Sequence, residues 1–127
     1  METENLKSGK KAEVLIIDDE VDICQLIVLI LRGCNVKSSF VNSLSEAKLL
    51  LTKVRPPLIF LDNHLPDGTG LEFITYIKSV SPNSKVVMIT AHSTEENKKI
   101  AKNNGAIHFI GKPFNSDEIT ETVKRFL

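Results

Sequence analysis

The chain has 127 residues, enough for one domain whose core needs no disulfide or metal to hold it. Sixteen Lys and Arg residues cancel sixteen Asp and Glu residues, so the charge balance gives no reason to expect nucleic acid or an anionic membrane as a partner. The longest purely apolar stretch, Leu26 to Leu31, is too short to cross a bilayer, and the polar start, Met1 to Ala12, lacks the apolar segment of a secretory signal.

Residues 1–12 read as a flexible polar tail and residues 13–127 as the folded domain. Val14 to Ile17 is a continuous apolar run, the signature of a buried strand. A helix is predicted from about Glu20 to Cys34, with Ile23, Leu26, Ile27, Ile30 and Leu31 facing the core and Asn35 closing it in the left-handed conformation. A weak strand, Val36 to Phe40, follows. Ser43-Leu44-Ser45-Glu46 reads as a capping box for a second helix, which turns Ala47, Leu50, Leu51 and Val54 inward and stops at Pro56-Pro57.

The third strand is Leu58 to Leu61, followed by a loop of turn formers from Leu65 to Gly70. The third helix carries Leu71, Phe73, Ile74 and Ile77 inward. Val86 to Ile89 is the fourth strand, Ser93 to Glu96 caps a fourth helix, and Gly105 ends it. Ile107 to Ile110 is the fifth strand. The last helix starts near Ser116 and buries Ile119, Val123, Phe126 and Leu127. Strictly alternating β and α elements imply an α/β fold: a doubly wound parallel sheet with helices on both faces. Cys24 and Cys34 follow no metal or redox spacing and read as two buried free thiols of a cytoplasmic protein.

The strand ends carry the chemistry. The first runs into Asp18-Asp19, the third into Asp62, the fourth into Thr90, and the fifth through Gly111 into Lys112-Pro113. Ligands of open α/β sheets bind at the carboxyl ends of the strands, so three carboxylates, a hydroxyl and an ammonium meet at one rim. Taken singly, each is an ordinary cap or turn residue; taken together, they form a site. Carboxylates crowded beside a single ammonium call for a hard divalent cation, and Mg²⁺ suits few carboxylates with room for water. A carboxylate can then attack phosphorus while Lys112 and Thr90 hold the other phosphoryl oxygens.

With these motifs the chain resembles the receiver domains of bacterial two-component response regulators over about residues 13–127. The resemblance rests on Ile17-Asp18-Asp19-Glu20, Leu61-Asp62 with Leu65-Pro66 and Gly70, Ile89-Thr90-Ala91, and the run from Gly105 to Phe114. It implies a flavodoxin-like three-layer α/β/α sandwich of five strands in the order 2-1-3-4-5. It implies Asp62 as phosphoacceptor, taking its phosphoryl group from a histidine kinase or histidine phosphotransfer protein, and Asp18 and Asp19 as the acid pocket. Asp19 then contacts Mg²⁺ directly, Asp18 contacts it through water, and the backbone carbonyl of His64 is another ligand. Thr90 and Lys112 bind phosphoryl oxygens, Phe109 is the switch aromatic that moves with Thr90, and the Lys112-Pro113 bond is cis. Such a module is a signalling phosphoprotein rather than an enzyme, acting only in its own phosphorylation and dephosphorylation. It leaves room for a phosphorylation-dependent homodimer.

Two other readings use the same residues. A phosphatase of the haloacid dehalogenase type also uses a strand-end aspartate and Mg²⁺, but needs an Asp-x-Asp pattern; here Asp18 is followed two residues on by Glu20. A phosphorylation-independent interaction module would not need the acid pocket. On the first helix, Val28 and Leu29 stand outside the expected core stripe, and in the resembled family this helix and the loop at Phe114 meet the donor's helical domain. Val28, Leu29 and Phe114 are therefore the expected partner-binding residues. His64 and His92 each lie two residues beyond a site residue and flank the expected entrance.

Overall fold

The computed structural model describes residues 12–127; the tail expected over residues 1–12 lies outside the described residues except for Ala12. Strands β1 (Val14–Ile17), β2 (Ser38–Val41), β3 (Leu58–Leu61), β6 (Lys85–Thr90) and β7 (His108–Gly111) form one parallel sheet in the order β2-β1-β3-β6-β7. With the two-residue strands β4 (His64–Leu65) and β5 (Gly68–Thr69) left out, this is the order 2-1-3-4-5. Interior strands β1 and β3 are buried at every position, because helices cover both faces. Edge strand β2, Ser-Ser-Phe-Val, is only half-buried, which is why it is the weakest strand in the sequence.

The five helices are α1 (Val21–Gly33), α2 (Leu44–Leu51), α3 (Gly70–Val80), α4 (Glu95–Asn104) and α5 (Ser116–Phe126). Alternate residues of β1 divide between two cores. Leu15 and Ile17 pack with Ala47 and Leu51 of α2, Phe73, Ile74 and Ile77 of α3, and Ala101 of α4. Val14 and Ile16 pack with Cys24, Ile27 and Leu31 of α1 and with Ile119 and Val123 of α5. The period of two along the strand thus assigns three helices to one face and two to the other.

Caps fix where the helices begin. Ser43, Thr69, Thr94 and Asn115 each accept the backbone N–H three residues on, and Asn115 with Glu118 closes a full capping box. The box expected at Ser43 is open: Glu46 instead accepts from the N–H of Asn42, one residue earlier. Asn35 at φ 60° and Gly105 at φ 119° take the left-handed turns after α1 and α4.

Several core expectations shift. Leu26 is 46% exposed, and Cys24 takes the core position on α1 in its place. Val28 is half-buried against the core rather than free, whereas Leu29 is 60% exposed. Leu127 is exposed and Phe126 half-buried, with Thr122 buried between Ile119 and Val123. Both thiols are unpaired, but only Cys24 is buried; Cys34 is half-buried beside Thr120. The loop expected from Leu65 to Gly70 contains the small antiparallel ribbon β4–β5. Asp67 in that ribbon accepts from the N–H groups of Leu44 and Ser45, tying it to the start of α2. Those bonds hold its carboxyl below the usual range.

Candidate functional site

Parallel pairing brings the strand ends to one rim. Ile17 is in register with Leu61, and Asp62 donates its N–H to the Ile17 carbonyl at 2.9 Å, which sets Asp18 and Asp62 side by side. Thr90 is in register with Gly111, and Lys112 donates its N–H to the Thr90 carbonyl at 2.9 Å. The Lys112–Pro113 peptide is cis. The Lys112 ammonium lies 2.7 Å from Glu20, 2.9 Å from Asp18 and 3.6 Å from Asp62. One carboxylate oxygen from each of Asp18, Glu20 and Asp62 lies within 4.8 Å of the others.

Both aspartates are buried, Asp18 at 2% exposure and Asp62 at 5%. Burial pushes the Asp18 carboxyl up to about 6, against the bonds it accepts from Lys112 and the Glu20 N–H; the nearby Asp62 adds to the rise. Burial alone would lower Lys112, but its bonds to Glu20 and Asp18 outweigh that and hold it above the ordinary ammonium range. The site therefore presents one fixed cation shared by three crowded carboxyl groups, of which Asp18 is held back from ionisation by its burial. That imbalance is what a divalent ion would relieve.

The surrounding frame is also hydrogen-bonded. Asp62 accepts from the N–H of Asn63 at 2.8 Å, and the Asn63 side chain accepts from Leu71 at the start of α3. The Asp18 carbonyl accepts from the Asn42 amide at 2.8 Å and the Cys24 thiol at 3.3 Å. Burial pushes that thiol up to about 12, so it stays protonated and a donor. Sequence reasoning assigned no role to Glu20, Asn42, Asn63 or Cys24. Only Glu20 carried a signal, as the third acid of Asp18-Asp19-Glu20.

Asp19 is exposed and is not among the three clustered carboxylates. Thr90 is buried at the end of β6, where its hydroxyl accepts from the N–H of His92 at 3.3 Å. Phe109 is half-buried on β7 and helps line a cleft of about 390 Å³ with Lys98, Lys102 and Ile107. His64 and His92 are both exposed, and their rings meet at 3.9 Å between centroids. Phe114 is half-buried against the core that the sheet shares with α1 and α5.

The profile of the response regulator receiver domain matches residues 14–124. The chain belongs to that family. This receiver is similar to the response regulator protein PilR of Pseudomonas aeruginosa, 33% identical over 113 residues that cover 89% of this chain and 25% of that protein. It is also similar to the sporulation initiation phosphotransferase F of Bacillus subtilis, 30% identical over 115 residues covering 91% of this chain and 93% of that one. The crystal structure of the receiver domain of NtrX from Brucella abortus superposes with a TM-score of 0.83 at 34% identity, covering 90% of this chain and 97% of that chain. The receiver thus spans about a quarter of PilR and nearly all of the Bacillus phosphotransferase. It is a signal-transduction module of the two-component type. Among the described residues no helix is long and apolar enough to cross a membrane.

The Asp18 shift makes the metal-free receiver pH-sensitive. Its folded pKa of about 6 lies above the ordinary 3.8, so its contribution to stability is full below 3.8 and is lost as pH rises through 6. The loss is about 3 kcal/mol at 1.36 kcal/mol per pKa unit. His108, whose pKa burial and Arg125 lower, acts in the opposite direction. Comparison with Asp18→Asn isolates the Asp18 contribution. In chelator, the melting temperature of the variant relative to the wild type should rise between about pH 4 and about pH 6 and level off above that range. A margin independent of pH would show that Asp18 titrates normally.

Proposed function

We propose that the receiver accepts a phosphoryl group on Asp62 from the phosphohistidine of a histidine kinase or histidine phosphotransfer protein. The observation that carries this reading is the convergence of Asp18, Glu20 and Asp62 on one ammonium at the carboxyl ends of β1, β3 and β7. A carboxylate oxygen of Asp62 attacks phosphorus, the P–N bond to the donor imidazole breaks, and that ring leaves with the bonding pair. Lys112 and the Thr90 hydroxyl bind phosphoryl oxygens. The bond from the Asn63 N–H holds the attacking carboxylate in place.

Asp18, Glu20 and Asp62 fit a hard divalent cation, which we take to be Mg²⁺. The neighbouring Asp19 and the carbonyl of His64 are the further ligands that the family resemblance implies. Bound there, the ion would supply positive charge against the incoming phosphoryl oxygens. Incubation with a small phosphodonor and Mg²⁺ should add one hydroxylamine-labile phosphoryl group, and chelation of Mg²⁺ before the donor is added should prevent its uptake. Uptake indifferent to chelation would overturn this reading.

Phosphorylation draws Thr90 toward the new oxygens and Phe109 with it, reshaping the cleft between α4 and β7 as a surface for output partners or a second copy. The free thiols support a reducing, cytoplasmic setting. Turnover is confined to the receiver's own phosphoryl group. Nothing favours the dehalogenase-type phosphatase, since the residue two beyond Asp62 is His64 rather than an acid.

The donor docks on α1. Leu26 and Leu29, three residues apart and exposed, form an apolar face on that helix. Val28 and Phe114 are half-buried against the core and so offer less to a partner than Leu26 and Leu29 do. Leu29→Glu should slow transfer from a phosphohistidine donor by roughly tenfold or more, as when a central interface anchor is lost, and leave small-donor phosphorylation unchanged. Equal slowing of both routes would mean damage to the fold, and no slowing would move the docking face elsewhere.

A further inference from the structure

His64 and His92 come from different loops, one opening β4 and the other following β6. Their rings are nevertheless in contact, with centroids 3.9 Å apart and planes inclined at 42°. Neither imidazole has a hydrogen-bond or ion-pair partner among the described residues. Both backbones are fixed: His64 pairs with Thr69 in the ribbon, while His92 donates its N–H to Thr90 and accepts at its carbonyl from the Asn97 amide at 3.0 Å. Two rings are thus held together in solvent with their ring nitrogens uncommitted. Their backbones lose little further entropy on binding a shared ligand.

We propose that His64 and His92 form a binding site for a borderline divalent transition-metal ion, of the Zn²⁺, Ni²⁺ or Cu²⁺ class, separate from the carboxylate cluster. A neutral imidazole offers one lone-pair nitrogen, and such ions prefer nitrogen donors, whereas Mg²⁺ prefers oxygen. Zn–N bonds of about 2.0–2.1 Å at a tetrahedral angle separate two ligating nitrogens by roughly 3.4 Å. With centroids 3.9 Å apart, the rings are close enough for one ion to bridge them once their nitrogen edges turn toward it, with water filling the remaining positions.

Zinc titrated calorimetrically into the receiver in excess Mg²⁺ should show one site. His64→Ala and His92→Ala should each weaken it by roughly tenfold or more, at least the loss seen for supporting residues of metal sites. His108→Ala, Cys34→Ser and Asp62→Asn should bind as the wild type does. Long-range ¹H–¹⁵N spectra of the unaltered protein give a second readout that needs no variant: the ring nitrogens of His64 and His92 should move with zinc, and those of His108 should not. Absence of binding in the wild type would overturn the proposal. So would undiminished binding in either histidine variant, loss of binding in Asp62→Asn or Cys34→Ser, or ring nitrogens that do not respond.

Discussion

Asp62→Asn should abolish the hydroxylamine-labile phosphoryl group, both with a small phosphodonor and with a phosphohistidine donor. The amide keeps the shape of the side chain and can still accept the Asn63 N–H that Asp62 accepts at 2.8 Å. It lacks the anionic oxygen that attacks phosphorus, so the loss is one of chemistry and not of folding. Burial at 5% exposure also means that the substitution removes a charge from a site already crowded by Asp18 and Glu20. The variant should therefore melt at or above the wild-type temperature in chelator. Intact-protein mass spectrometry with a hydroxylamine chase checks the first outcome. Equal uptake with equal lability in Asp62→Asn would assign the phosphoacceptor to another carboxylate.

How far the sequence discloses this arrangement depends on what each residue is coupled to. The interior strands announce themselves because Val14–Ile17 and Leu58–Leu61 are buried on both faces, so no alternation masks the run. The site residues Asp18, Asp62, Thr90 and Lys112 are legible because each ends or directly follows a strand, and parallel pairing fixes which ends adjoin. The phase of α1 is not legible. Six consecutive apolar residues, Leu26 to Leu31, fit more than one stripe, and Cys24 rather than Leu26 completes the buried one. The place of Glu20 was hidden for another reason. It precedes α1 as its N-terminal cap residue, and only the fold of the β1–α1 link turns its carboxylate toward Lys112 while leaving Asp19 exposed. The contact between His64 and His92 depends on two loops whose spacing no local pattern records.

Gly70→Ala should be the most damaging single-methyl change in the receiver. Gly70 opens α3 directly behind the phosphoacceptor, and its N–H donates to the Asn63 carbonyl at 2.8 Å. A Cβ built there would overlap the carbonyl oxygen of Asp62, stand 3.0 Å from its carbonyl carbon, and press the Leu61 side chain at 3.1 Å. Backbone cannot step aside as a flexible side chain can, so either α3 or the end of β3 must move. Overpacking of this kind costs about 3 kcal/mol. For a domain of this size that lowers the melting temperature by roughly 10 °C. Because the displaced group is the peptide of Asp62 itself, phosphorylation should fall even well below the melting range, where the protein is still folded. Gly33→Ala is the matched control: nothing lies within 4 Å of a Cβ there, and a helical position that exchanges Gly for Ala gains up to about 1 kcal/mol. Thermal melts and small-donor phosphorylation of the two variants distinguish the cases. If Gly70→Ala melts and reacts like the wild type, the close approach of α3 to the Asp62 peptide does not position the phosphoacceptor, and the register of β1 with β3 must do so alone.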